Sequence, residues 1–206
     1  LSGSSSRDSV PSSALYKELK SLMTTNHKTI TSYADTRDLF KYTDCQNSGG
    51  KISSFYSGLA IGPSWDGGAT WNREHTWPNS KGLGGDDEND IMMLRPTWVS
   101  ENSSRGNTAY GESGSYYYPG DGLRGDCARI CLYVWIRWGS SWGADSVTEV
   151  FQSVDVLLAW MALDPVDTWE LGRNDSVESI TGTRNVFVDY PELIFVLFNQ
   201  GFIYIY

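Results

Sequence analysis

The densest chemistry in this chain lies in Trp71-Asn72-Arg73-Glu74-His75-Thr76-Trp77-Pro78, where a guanidinium, a carboxylate and an imidazole stand side by side between two tryptophans. The sequence has only 2 histidines. His75 must therefore carry much of whatever imidazole chemistry there is, since an imidazole exchanges its proton near neutral pH. Neighbouring side chains of a strand point to opposite faces. Glu74 and His75 can share a pocket only if the strand ends or bends there, and Pro78, which cannot donate to a ladder, is a reason for it to end.

The elements that must hold these groups can be read from pattern and punctuation. Ser13 to Thr24 reads as a helix, with Leu15, Leu19 and Leu22 as its apolar stripe. Ser32 to Tyr42 reads as a second, stopped by the turn residues of Asp44 to Gly50. Lys51 to Tyr56 is a strand candidate. Gly62 to Gly68 is a loop leading into Trp71–Trp77 as the next strand, and the glycine-rich, acidic Ser80 to Asp90 reads as a mobile loop. Asp121 to Trp138 is the clearest long helix, with Leu123, Cys127, Ile130, Cys131, Val134 and Trp138 on one side. After the break at Gly139 to Gly143, a helix from Val147 to Leu163 ends before Asp164-Pro165. A last helix runs from Pro191 towards Phe198, and Gly201 to Tyr206 is uncharged and β-prone. Residues 1–12 read as a linker-like, disordered start and 13–206 as one domain, without internal repeats.

Composition narrows the classes. The 206 residues suffice for one well-packed core, and no apolar run reaches the roughly eighteen residues of a membrane helix. A net charge of -9 argues against simple electrostatic attraction to phosphates. A local basic cleft built from Arg73, Lys81, Arg95, Arg105, Arg124, Arg129, Arg137 and Arg173 would reverse that argument. Cys127 and Cys131, four apart on a helix, read as buried free thiols, because an intrahelical bridge would strain both helix and bond. No zinc-ligand spacing is present. His27, at a helix end, reads as a surface or capping residue. Trp71 and Trp77 could stack on bases, but in a chain with 9 tryptophans they read as core.

The segment Trp71–Pro78 resembles the metal-binding signature of the bacterial endonuclease I family, in the ββα-metal (His-Me finger) nuclease superfamily. Further segments follow in the family's order: Asp90-Ile91-Met92-Met93-Leu94-Arg95-Pro96-Thr97, Ser104-Arg105-Gly106-Asn107, Gly125-Asp126-Cys127-Ala128-Arg129, Asp164-Pro165-Val166-Asp167, Gly172-Arg173-Asn174-Asp175, Arg184-Asn185-Val186-Phe187 and Asp189-Tyr190-Pro191-Glu192. The likeness runs from about Tyr42 to Phe198, and an ordered set of this length is far more specific than one short motif.

The resemblance implies an α+β fold, a mainly helical single domain around a small ββα-metal core. It implies a metal-dependent, largely sequence-nonspecific endonuclease acting on DNA, with RNA as an alternative, that leaves 5′-phosphate ends. It also implies export from the cytoplasm, although the sequence shows no signal peptide. His75 would be the general base that takes a proton from water. Glu74 and Asn107 would hold one Mg²⁺ through hard oxygen donors, with Mn²⁺ or Ca²⁺ able to substitute. Taken alone, Glu74 would read as an exposed strand carboxylate and Asn107 as a turn residue. Arg73 and Arg105 are expected either to brace a phosphate with their planar fork or to sit in structural ion pairs. Two departures stand out. Met92 or Met93 occupies a place where members commonly carry histidine, which implies weaker support for the site. Thr181-Gly182-Thr183 replaces a common Gln-Gly-Asn, removing amide groups from a loop expected to touch substrate. The rival readings are a weak or inactive relative that still binds nucleic acid, and an extracellular interaction module.

Overall fold

Serine caps open the first two helices. The side chains of Ser13 and Ser32 accept the backbone N–H of Tyr16 and Asp35, starting α1 (Ala14–Asn26) and α2 (Tyr33–Thr43). The structure, a computed structural model, describes residues 10–46, 50–144 and 146–198. The expected disorder of residues 1–9 and the β-prone 201–206 tail lie outside the described residues, whereas Val10–Ser12 forms a short 3-10 turn with Val10 buried. The buried stripe of α1 is Tyr16, Leu19 and Met23, and Leu22 is 50% exposed. Both spacings suit a helix; the edge contact of Tyr16 on Trp135, at 5.3 Å, decides which one faces the core.

Two small antiparallel sheets follow. β1 (Ile52–Ser53) pairs with β2 (Ala60–Ile61) and is much shorter than the expected strand. β3 (Trp71–His75) pairs with β4 (Leu94–Trp98), setting Arg73 opposite Pro96, Glu74 opposite Arg95 and His75 opposite Leu94. α3 (Val99–Arg105) begins directly after β4, so the site is carried by a strand, a strand and a helix in succession. β3 stops at His75, two residues before the expected end. Beyond it Thr76 donates to the Met93 carbonyl and the Trp77 indole to the Lys81 carbonyl, at 2.9 Å each, so both side chains turn into the protein.

The acidic connection between β3 and β4 is anchored, contrary to its reading as a mobile loop. Asp87 is buried and accepts the Trp142 indole N–H at 2.6 Å together with the Gly84 and Glu88 amides. Asp90 is 1% exposed and accepts the Tyr133 hydroxyl and the Trp138 indole at 2.8 Å, plus the Met92 amide. Donors from the centre of the molecule thus hold both carboxylates. His27 belongs to the same cluster. Its side chain is 1% exposed, edge-on to Trp138 and 4.0 Å from Asp90, so it is not a surface residue, while its backbone N–H caps α1 on the Thr24 carbonyl, as expected.

α4 (Arg124–Trp138) is buried on every side from Gly125 to Trp138. It is a central helix wrapped by neighbours, not one with a single apolar face. The helix expected from Val147 to Leu163 is broken. A 3-10 turn at Val147–Glu149 precedes Ser153, which caps α5 (Val154–Leu163), because the intervening Gln152 amide bonds to the Tyr110 carbonyl. α6 (Thr168–Thr181) escaped the sequence reading, although its signals are present: Asp167 accepts the Glu170 amide, and Gly182 ends the helix in the left-handed region at φ 83°. α7 (Val186–Asp189) and α8 (Leu193–Leu197) complete the core. Cys127 and Cys131 are free and buried, as expected.

The anticipated basic cleft does not form. Arg95, Arg105, Arg129, Arg137 and Arg173 are all buried. Arg95 and Arg173 share the buried Asp44 at 3.2 and 3.0 Å, and Arg173 also donates to the carbonyls of Ile91, Met92 and Leu94. Arg129 binds Asp126, Glu170 and the Asp164 carbonyl. These cations fasten segments to one another. Gly125 shows how tight the fastening is: a Cβ there would lie 2.1 Å from the Asp164 carbonyl oxygen and 2.8 Å from the Arg129 guanidinium. Gly125→Ala should therefore destabilise the fold by on the order of 2–3 kcal/mol, seen as a lower urea midpoint. A midpoint equal to the wild type's would show that this contact is not tight.

Candidate active site

The side chains of β3 alternate, and the alternation divides the site. Arg73 and His75 face α2, where the Arg73 guanidinium lies 3.5 Å over the Tyr33 ring and the His75 ring stacks on Tyr33 at 5.7 Å. Glu74 faces the other way, where it is 1% exposed and meets Tyr56 and Arg105. A single reacting phosphate can reach both groups only across the end of the strand, and the strand ends at His75.

Glu74 sits at the head of a hydroxyl chain. The Tyr56 hydroxyl donates to Glu74 Oε1 at 2.8 Å and is 3.0 Å from the Tyr110 hydroxyl. The Tyr56 proton is committed to the carboxylate, so Tyr110 must donate to Tyr56. Burial keeps both phenols protonated by raising their pKa well above the ordinary value. Burial also pushes Glu74 up to about 7, with the Arg105 charge and the Tyr56 hydrogen bond pulling the other way. Arg105 stays charged: burial opposes this, but the oxygens of Tyr110, Glu74 and Tyr56 outweigh it. Glu74 is the partner that titrates.

Arg105 settles between its two expected roles. It is 1% exposed, and its Nε lies 3.5 Å from Glu74 Oε1. Its remaining nitrogens donate to the carbonyls of His75, Thr76 and Gly106 at 3.3, 2.8 and 3.0 Å. The fork grips the protein's own backbone, which leaves it no freedom to brace a phosphate. One nitrogen holds both the His75 and the Gly106 carbonyl, so the peptide linking Gly106 to Asn107 is tied to the end of β3. Gly106 turns the chain there with φ 57° and ψ -133°, a conformation essentially closed to L side chains. Asn107 is exposed, and its amide has no hydrogen-bond partner among the described residues.

His75 is oriented by a carbonyl. Its Nε2 lies 3.0 Å from the Glu88 backbone oxygen. An oxygen can only accept, so Nε2 carries the proton and the Nδ1 lone pair is free. Burial lowers the pKa of the ring, partly offset by the Glu88 carbonyl and carboxylate, while Arg73 and Arg105 lower it further. The ring is thus neutral at ordinary pH, with its acceptor on Nδ1. Glu88 stands in the anchored loop, so Asp87 and Asp90 position the imidazole through the backbone.

Arg73 has no carboxylate within 4.0 Å among the described residues. Its guanidinium lies against Tyr33 and Trp65, one nitrogen donates to the Tyr33 carbonyl, and Nε is buried without a partner. The ion-pair alternative fails for it. Trp71 and Trp77 are fully buried core residues. Met92 and Met93 are buried too, and they serve the site through carbonyls held by Arg173 and Thr76. Thr181 and Thr183 are internal, Thr183 donating to the Met23 carbonyl, so this loop joins α1 to α6. A cavity of about 650 Å³ lies between α1 and α6, with no residue of β3 in its lining. Its Arg184 is held by Asp175, Glu178 and Asp189. Sequence reading missed Tyr56, Tyr110 and Tyr33, whose spacing from the motif carries no signal.

A divalent cation would find a suitable donor set at this strand end. Glu74 Oε2 has no hydrogen-bond partner among the described residues. Its buried carboxylate bears an unfavourable charge that a cation would relieve, and Asn107 offers an uncommitted amide oxygen. Both are hard oxygen donors of the kind Mg²⁺ accepts. No group of three or more His, Cys, Asp or Glu side chains suited to an all-protein metal cage occurs among the described residues.

Comparison with known proteins gives the family. The sequence signature of the family described as Endonuclease I matches residues 12–118 and 113–192. An extracellular ribonuclease of Bacillus subtilis (strain 168) is 31% identical over 207 residues, spanning 84% of this chain and 72% of its own length. An extracellular ribonuclease of Bacillus amyloliquefaciens is 31% identical over 191 residues, spanning 78% and 66%. The protein is a nuclease, a hydrolase whose substrate is nucleic acid. Within that class, the chain belongs to the Endonuclease I family.

The titration of Glu74 has a measurable consequence. Between its ordinary value of 4.5 and its folded value of about 7, the unfolded chain has lost this proton while the folded chain keeps it. Its contribution to stability is thus present below the lower value and lost as pH rises towards the higher one. In chelator, Glu74→Gln should gain urea stability relative to wild type as pH rises across this window. A difference independent of pH would show that Glu74 does not titrate there.

Proposed function

We propose that the protein is a metal-dependent, largely sequence-nonspecific endonuclease of the ββα-metal (His-Me finger) type, with His75 as general base. The observation that carries this reading is the Glu88 carbonyl on His75 Nε2, which leaves Nδ1 as a proton acceptor at the end of the strand that also carries Glu74. Glu74 and Asn107 would hold one Mg²⁺, which when bound supplies charge neutralisation on the phosphoryl oxygens and at the departing oxygen.

The chain's own residues would perform the rest. His75 Nδ1 takes the proton of a water as the water oxygen bonds to phosphorus. The P–O3′ bond breaks, the phosphate stays on the 5′ end, and the departing O3′ gains a proton from solvent. Arg73, uncommitted to any carboxylate, braces a non-bridging phosphoryl oxygen. Arg105 keeps Glu74 and the Gly106–Asn107 peptide at the strand end and is a positioning residue. Attack by water does not require a 2′-hydroxyl, so the same site suits DNA and RNA. The relatives named as ribonucleases support RNA among its substrates, and their description as extracellular supports secretion. Contacts to the phosphate backbone without readout of base edges account for low sequence specificity.

Three outcomes test this reading. At saturating Mg²⁺ cleavage should rise with pH and level off, with an inflection below the ordinary imidazole value of 6.5, because the lowered pKa makes the ring neutral earlier. His75→Ala should lose about two to four orders of magnitude in rate while still binding Mg²⁺. Wild-type cleavage by this variant would remove His75 from the mechanism. Glu74→Ala and Asn107→Ala should each weaken Mg²⁺ binding by calorimetry and cleavage with it; undiminished affinity in both would place the metal elsewhere.

A further inference from the structure

The counter-charges of the arginines are unevenly distributed. Among the described residues every arginine except Arg37, Arg73 and Arg137 has a carboxylate within 4.0 Å. Arg137 is buried against Trp138, its guanidinium 3.6 Å from the ring. The other two are half-buried at the surface beside His75 and share one indole. The Trp65 ring lies 5.9 Å from the Arg37 guanidinium and 4.8 Å from that of Arg73. Arg73 lies in turn over Tyr33, which stacks on His75.

Two periodicities build this patch. Tyr33 and Arg37 are four residues apart on α2 and share a face, while Arg73 and His75 are two apart on β3 and share a face. Trp65 reaches it from the loop before β3, held edge-on to the buried Trp71 at 4.9 Å. Guanidinium and aromatic groups therefore adjoin in the order Arg37, Trp65, Arg73, Tyr33, His75. The nearby Asp35 carboxylate takes the Ser32 hydroxyl at 2.6 Å and is not within 4.0 Å of either guanidinium. In a protein of net charge -9, two guanidiniums with no carboxylate within 4.0 Å among the described residues thus lead away from the base.

Resting on the nuclease reading above, we infer that this patch binds a single-stranded segment of the substrate that runs from the phosphate braced by Arg73 to a flanking phosphate on Arg37, with an unstacked base against the Trp65–Tyr33 aromatic surface. Cations that track the backbone and aromatic rings that accept any base are the combination that holds single strands without sequence preference. A duplex keeps its bases stacked and offers no free face to these rings. The bland alternative is that the rings and guanidiniums only fasten α2 to β3.

The test measures binding apart from chemistry. A single-stranded DNA 12-mer is titrated against the full chain in EDTA at several salt concentrations. Hydrolysis of bis(p-nitrophenyl) phosphate, too small to reach the patch from the strand end, is followed separately in Mg²⁺. Arg37→Gln should weaken oligonucleotide binding and reduce the slope of log affinity against log salt by roughly one, with the small diester hydrolysed as by wild type. Trp65→Leu should weaken binding about tenfold. Thermal melting identifies variants that have merely loosened α2. Unchanged affinity and salt slope in both folded variants overturn the proposal, as does a loss confined to thermal stability. A wild-type protein that fails to cut the oligonucleotide in Mg²⁺ would overturn the nuclease reading instead, so the two failures are distinguishable.

Discussion

One guanidinium organises the site. Arg105 is enclosed in the protein, yet it stays charged because carbonyls and a carboxylate surround it. Removing such a group would leave several backbone acceptors without a partner, each costing on the order of 1–3 kcal/mol, and would strip a buried carboxylate of its counter-charge. The same five donors determine where β3 ends, where α3 ends, and how Glu74 is held between them. This side chain ties the end of β3 at His75 to the turn before Asn107, because one of its nitrogens bonds both the His75 and the Gly106 carbonyl.

The second constraint is the acidic loop. Its carboxylates accept indole and phenol donors from α4 and the turn after it, which converts a glycine-rich connection into a rigid support. The rigidity matters because the loop contributes a backbone carbonyl to His75, and a backbone group orients a ring only as well as its own segment is fixed. Part of the chain's negative charge is thus internal scaffolding, since Asp44, Glu74, Asp87, Asp90, Asp126 and Glu170 are buried. Most arginines are internal as well, so the cationic surface reduces to the few whose partners are aromatic.

Burial acts on both groups, raising the pKa of Glu74 and lowering that of His75, and so gives them different tasks. The carboxylate is held where a charge is costly, which favours a cation as its partner. The imidazole is held where its neutral form is favoured, which suits a proton acceptor. Because the strand alternates, the two environments can differ completely although the residues are adjacent in the chain.

Several features were legible in the sequence because they depend on local rules. The motif around His75 and the segments after it place the chain in its family. Ser13 and Ser32 mark helix starts because a hydroxyl caps an amide three residues on. Cys127 and Cys131 read as free because helix geometry forbids their bridge. What the sequence could not decide was partnership. Arg73 and Arg105 look equivalent in the chain, and only packing places one against aromatic rings and the other among carbonyls. The loop at Ser80–Asp90 looks mobile until Trp138, Tyr133 and Trp142 are seen to reach it from some fifty residues away in sequence. Periodicity located α4 but could not reveal that neighbours cover all its sides. Local propensity is a property of a segment, whereas burial and the identity of a hydrogen-bond partner belong to the assembled core, and those are the quantities that decide charge, pKa and orientation here.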